Sequence, residues 1–265
     1  MTLPIITKKQ QEIIHLILTF RFLNSNQIQA FLKHKNKKNI NTWLPDLVIK
    51  QYLTPVPKPK SFESKIKPTE YHIGLNGIRT LKNIEDIPVE YARNLYREKL
   101  KKSAFRKRCF LLANICLSFL KETTKTGTKY QFETYWNYMQ SDSIFNFLVE
   151  LKPHLCIIKH SEGKKRYFLL EIFDETLPLY MRKKRIKSYM EFFDEYEWEN
   201  NINGQFPNIL IVCPMKSLLI SSKRMTKALL EKEENEDISF RFTTVEKIQN
   251  IGVTGSIWEK VMYMP

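Results

Sequence analysis

Two groups of residues have types and spacings that could do chemistry. The first is Lys33, Lys35, Lys37 and Lys38, followed by Asn41 and Thr42. Lysine ammonium groups suit phosphate oxygens, and an asparagine amide can pair bidentately with adenine, so the group fits duplex DNA. The second is His154 and Glu171. They are equidistant from the turn Ser161-Glu162-Gly163-Lys164, which lies between the apolar, β-prone runs Leu155–Lys159 and Tyr167–Phe173. A hairpin there makes them cross-strand neighbours. One imidazole beside one carboxylate reads as a hydrogen-bonded pair and is a poor seat for a hard divalent cation, which prefers several oxygens. Asp174 would supply a second carboxylate.

The elements that must position the first group follow from apolar periodicity. Ile13, Ile14, Ile17 and Phe20 recur at helical spacing from Thr7, a fitting N-cap, to about Leu23. Asn24-Ser25-Asn26 breaks that pattern and caps a second short helix carrying Ile28, Phe31 and Leu32. A charged turn over 33–38 leads to a third helix. There Ile40, Trp43, Leu44, Leu47 and Val48 form one buried stripe, interrupted only by Pro45, which would kink the helix or mark a start. That stripe leaves Lys37, Lys38, Asn41 and Thr42 on the outer face near the N-terminal end. Tyr52–Thr54 and Tyr71–Gly77, separated by the Pro- and Lys-rich PVPKPKSFESKIKP, read as a β-hairpin wing. Three helices and a wing make a winged helix-turn-helix, whose third helix enters the major groove.

Charge supports that partner. Residues 1–108 hold 22 Lys and Arg against 8 Asp and Glu, a net of +14, whereas the whole chain is +15. Nearly all the excess sits in the first two fifths, and nucleic acid is the commonest partner of such a surface. An anionic membrane would need a lipid-facing stripe, and the N-terminal stripes are better used as core.

A long helix is expected over Pro88–Thr123. Its first half is basic (with Arg97, Lys101 and Lys102 as further DNA contacts), and its second half, Phe110–Leu120, belongs inside the next domain. Beyond it, Lys129–Tyr138 and Phe145–Leu151 suggest strands, with a short helix over 142–151 as the alternative. A helix over about Leu179–Glu199 follows, with Ile186, Tyr189, Met190 and Phe193 on one face. After it come the all-apolar strand Asn208–Cys213, a helix over 215–233, a strand over 238–244, a short helix near Val245–Ile251 and a last extended piece. The order is that of an α/β sandwich with a mixed sheet. The fold class is therefore α+β in two domains: 1–86 as the winged helix-turn-helix, 87–108 as a basic connecting helix, and 109–265 as the α/β domain.

Composition removes other classes. At 43% hydrophobic residues with seven glycines the chain is neither disordered nor fibrous. Phe110–Leu120 is about half of the roughly 20 residues a membrane helix needs, and the N-terminus lacks an apolar core followed by small residues. A cytoplasmic location is expected. Cys109, Cys116, Cys156 and Cys213 form no C-x-x-C pair and read as buried thiols. Gly163-Lys164 lacks the upstream glycines of a phosphate loop, and Gly74-Leu75-Asn76-Gly77 lacks a strand-to-helix nucleotide context, so both read as turns. His15 and His72 read as surface or packing residues.

These blocks resemble the replication-relaxation family of plasmid and mobile-element proteins. LTFRFLNSNQIQAFL, TWLPDLVIKQYLTPV and YHIGLNGIRTL are similar to its winged helix-turn-helix. KPHLCIIKHSEGKKRYFLLEIFDETLPLYMRKKRIKSYMEFF with FPNILIVC is similar to its half resembling the PD-(D/E)XK phosphodiesterase fold. The resemblance implies DNA binding linked to replication, relaxation or transfer. It also implies a Mg²⁺ site built from an Asp, an acidic residue and a Lys two positions on. Here His154 stands for the Asp, Glu171 is the acidic residue, and Phe173 occupies the Lys position. Lys184 or Lys187 on the next helix could replace that lysine. The expected reading is a vestigial site without a cofactor. A metal-dependent nuclease or nickase, and a transcriptional regulator with a dimerising or partner-binding C-terminal half, are the alternatives. The expected partners are double-stranded DNA, with a replication or transfer protein and a second copy of the chain as further candidates, and no membrane.

Overall fold

The structure is a computed structural model that describes residues 2–82, 89–140, 142–202, 204–235 and 237–263. It is α+β, and its contacts divide the chain into two compact units: residues 1–117 with 139–141, and 118–138 with 142–265. The expected boundary at 86/87, and the start of the connecting helix, lie outside the described residues.

The first unit begins with α1 (Lys8–Phe20), capped by Thr7, which exchanges hydrogen bonds with Gln10 in a capping box. The helix ends at Phe20 and not at Leu23, because Arg21 takes a positive φ and Leu23–Asn24 joins a sheet as β1. Asn24 caps α2 (Ser25–Phe31), and Asn36 caps α3 (Lys37–Ile49). In α3 Ile40, Leu44 and Leu47 are buried, and the helix runs on through Pro45, which only forgoes one backbone hydrogen bond. β2 (Leu53–Pro55) and β3 (Glu70–Ile73) pair antiparallel, with α4 (Phe62–Ile66) in the long connection between them. β3 also pairs with β1, in the order β1-β3-β2.

The extended reading of Tyr71–Gly77 is corrected at Ile73, because α5 (Leu75–Lys82) starts immediately afterwards. Gly74 permits this. A Cβ there would lie 2.5 Å from the Gln51 carbonyl oxygen and 2.9 Å from the Leu53 nitrogen, so only glycine allows the backbones to approach.

The single helix expected over Pro88–Thr123 is also corrected. It is α6 (Val89–Tyr96), a 3₁₀ turn at Glu98–Leu100, and α7 (Ser103–Thr126). Glu98 is the reason. It turns inward to 1% exposure and accepts from Nε of Arg21 at 2.8 Å, which pulls the chain out of helical register. α7 runs from the first unit into the second. Its earlier part is tied to the first by Gln27, whose amide donates to the Phe110 carbonyl (2.9 Å) and to Asn114 (2.8 Å). The unit boundary thus falls later than the expected 108/109.

The second unit is built on a six-stranded mixed sheet in the order β4 (Lys129–Glu133), β5 (Leu155–Ser161), β6 (Lys164–Ile172), β7 (Asn208–Cys213), β8 (Phe240–Thr244) and β9 (Glu259–Val261). β6, β7 and β8 are parallel to one another, and the other pairings are antiparallel. Glu162 and Gly163 both take positive φ, as a tight two-residue hairpin turn requires, and this sets Leu155 opposite Leu170.

The strand expected over Lys129–Tyr138 holds only for its first half, and over 142–151 the helical alternative replaces the strand. β4 stops at Glu133, and α8 (Tyr135–Tyr138) and α9 (Leu148–Leu151) follow, because short polar side chains close local turns there. Asn137 accepts from the Thr134 N–H (2.9 Å), and Ser143 accepts from the Phe145 N–H (3.2 Å). One sheet face, carrying Cys156, Leu169, Phe173, Ile209, Ile211 and Phe240, is covered by α10 (Leu179–Asp194) and α12 (Lys216–Lys232). The expected helix to Glu199 is broken at Tyr196, which has a positive φ. The chain resumes as α11 (Glu197–Asn201), and α13 (Val245–Ile251) follows β8.

Candidate functional site

The hairpin register continues one step past Leu155 and Leu170, and that step places His154 beside Glu171. Nδ1 of His154 lies 2.6 Å from Oε2 of Glu171, and 3.2 Å from the Ile172 backbone nitrogen. The shorter contact needs a proton on Nδ1, which makes the imidazole the donor to the carboxylate. Glu171 shares the alternation of Leu169 and Phe173, so it points beneath α10 and is 2% exposed.

A buried carboxylate demands partners, and α10 supplies them. Arg185 donates to Oε1 of Glu171 from Nε at 2.9 Å and from Nη2. The same guanidinium reaches the Leu151 carbonyl from Nη1 and the Lys152 carbonyl from Nη2 at 2.9 Å. The Tyr189 hydroxyl donates to Oε1 at 2.7 Å. Burial pushes the Glu171 carboxyl up, but the charges of Arg185 and His154 and their hydrogen bonds outweigh it and bring it down to about 2. Burial, then the Glu171 charge, raises the Tyr189 phenol, so it stays a donor.

The other residues singled out from sequence sit elsewhere. Asp174 accepts from the Thr176 N–H (3.0 Å) and hydroxyl (2.6 Å), closing the turn after β6. Lys187 pairs with Glu233 at 3.3 Å, and Lys184 is exposed. Phe173 is fully buried. The cation brought to Glu171 is therefore Arg185, and neither lysine. Sequence reading passed over Arg185, although it precedes Tyr189 by four residues and so shares the inward face already assigned to that tyrosine.

A divalent metal does not fit these residues. Both Glu171 oxygens are occupied by donors, and among the described residues no three His, Cys, Asp or Glu side chains gather as a metal shell. The arrangement neutralises and fixes a carboxylate.

In the first unit, Lys33 and Lys35 are exposed in the turn before α3, and Lys37, Lys38, Asn41 and Thr42 are exposed along its first turns. The Thr42 hydroxyl donates back to the Lys38 carbonyl at 3.1 Å. Arg97 and Lys102 are exposed around the break before α7, and Lys101 lies over the Phe105 ring at 5.3 Å.

Fold and site together define a two-unit α+β protein whose second unit seals one carboxylate under an arginine on a mixed sheet. The replication-relaxation family model matches residues 14–209, and the chain belongs to that family. No curated protein matches it. Among solved structures, the restriction endonuclease FokI bound to DNA is similar at 12% identity and a TM-score of 0.24, over 93% of this chain and 45% of that one. The chain thus spans less than half of that protein. Among the described residues no helix is long and apolar enough to cross a membrane.

Proposed function

We propose that this chain is a DNA-binding protein of a plasmid or other mobile element, acting in initiation or control of replication or of DNA transfer. α1, α2, α3 and the β2–β3 hairpin form the winged helix-turn-helix, with α3 in the major groove of double-stranded DNA. The observation that carries this reading is the outer face of α3, where Lys37, Lys38, Asn41 and Thr42 are exposed opposite buried Ile40, Leu44 and Leu47. Residues 1–108 around it carry +14 of the +15 net charge. Membership of the replication-relaxation family supports the replication role. The second unit is nuclease-like without being a nuclease: a catalytic carboxylate must be free to hold a metal, and Glu171 is not.

Binding of the full chain to duplex DNA is expected to fall by roughly 10³ or more between 50 and 200 mM salt, if about six phosphates are contacted. A salt-independent affinity in a filter or anisotropy titration would defeat the reading. The purified chain is also expected to leave supercoiled plasmid intact with Mg²⁺ or Mn²⁺. Nicking that disappears in Glu171→Ala would make the protein a metal-dependent nuclease instead.

A further inference from the structure

The connection between β2 and β3 carries an apolar face that the rest of the protein does not cover. Phe62 and Ile66 are four residues apart, at the two ends of α4, and so lie on one side of it. They are 77% and 70% exposed. A single exposed apolar side chain is ordinary, but two large ones on one face of a loop tip mark a surface that gains from being covered. The chain around them is basic. Residues 58–67 hold four lysines against one glutamate, and Lys58, Lys60 and Lys67 are exposed on the two sides of the pair.

The arms that carry this tip are braced. The Val56 N–H donates to the Glu70 carbonyl at 2.8 Å, and beyond it Nζ of Lys58 reaches across to the Lys67 carbonyl. Pro57 and Pro59 fix φ in the outgoing arm, and Pro68 does so in the returning one. The base is anchored as well. The Ser25 N–H donates to the Thr69 carbonyl at 3.0 Å, and Nε of Arg106 donates to the Glu70 carboxylate at 3.1 Å. Little ordering is left to occur when a partner arrives, so the apolar pair is presented ready to bind.

We propose that Phe62 and Ile66 are a wedge that enters the minor groove next to the one held by α3, parts a base step and bends the duplex. The chain then shapes its DNA as well as binding it. The flanking lysines choose this partner. Lys60 and Lys67 meet the phosphates on the two sides of the groove, while the apolar pair finds cover against the faces of unstacked bases, the apolar part of a duplex. Parting a step costs stacking energy, least at a flexible pyrimidine–purine step, so the wedge would also favour sites that carry one. Only three residues separate the end of α3 at Ile49 from the start of β2 at Leu53, so the wing and the helix face the DNA as one piece. The inference rests on the winged-helix reading, because α3 must hold the neighbouring major groove.

The bend is read from the gel mobility of full-chain complexes on circularly permuted fragments carrying a bound genomic site. The parted step is read from the fluorescence of 2-aminopurine placed at successive adenines of that site. Wild type is expected to bend the fragment by about 20–90° and to brighten the 2-aminopurine at one step. Phe62→Ala with Ile66→Ala should lose both signals and leave the salt slope unchanged, since every lysine remains. Phe62→Leu keeps an apolar wedge and should retain most of the bend. Both side chains are exposed, so Tm should not move in either variant. A straight duplex in the wild-type complex, or a bend that survives the double alanine variant, overturns the wedge. So does loss of a second copy from the complex in that variant, seen by sedimentation, which would make the pair a contact between chains. The two readings fail differently. Straight DNA whose binding still weakens in Lys37→Ala with Lys38→Ala defeats the wedge alone, whereas binding that this lysine variant leaves undiminished defeats the winged helix and the wedge with it.

Discussion

Arg185→Ala should destabilise the second unit by about 3–5 kcal/mol, seen as a lower urea midpoint at pH 7, because it leaves Glu171 charged, buried and without its cation. The loss is not the worth of the ion pair alone. It includes the Leu151 and Lys152 carbonyls that Arg185 holds, which tie the end of α9 to α10. The paired replacement Arg185→Met with Glu171→Leu removes both charges, and should recover most of the loss. pH separates the electrostatic part. The Glu171 carboxyl is held down to about 2, so its contribution is fully present above the ordinary carboxylate range of about 4.5 and is lost as pH falls from there toward 2. The stability difference between wild type and Glu171→Gln should therefore shrink between pH 5 and pH 2. A difference that stays constant would show that Glu171 is not held as a paired anion.

What was legible in the sequence and what was not divides along physical lines. The 154–171 pairing could be read because a hairpin with a two-residue turn has a single register, fixed locally by Glu162 and Gly163. The stripes of α1 and α3 were legible because each buries a regular apolar face. Helix breaks were not, since they depend on distant partners. Glu98 leaves the helical register only because Arg21, at the end of α1, waits for it. The Glu171 partner was hidden for a related reason. A catalytic role would call for a lysine on α10, whereas burial selects a fork-shaped cation that can serve one carboxylate and two carbonyls together. Lys184 and Lys187 have the charge but not the facing, and Arg185 has both.

On α3, Lys37→Ala with Lys38→Ala should weaken binding to cognate and random duplexes alike and reduce the salt slope by about 2, since lysines at the start of the helix meet phosphates, which carry no sequence information. Asn41→Ala should behave differently. Its side chain is exposed one turn further along the same face and makes no hydrogen bond to another described residue, so its amide is available to pair with N6 and N7 of adenine. Loss of that pair should cost about 1–3 kcal/mol on the cognate site, defined by sequencing bound genomic fragments, and little on random DNA. The variant is a clean one, because an exposed helical Asn→Ala change removes no packing and slightly favours the helix. If Asn41→Ala binds both DNAs as wild type does, α3 is not the reader. The long connection between β2 and β3, with Lys58 and Lys60, and the basic surface at Arg97 and Lys102 then become the elements to test.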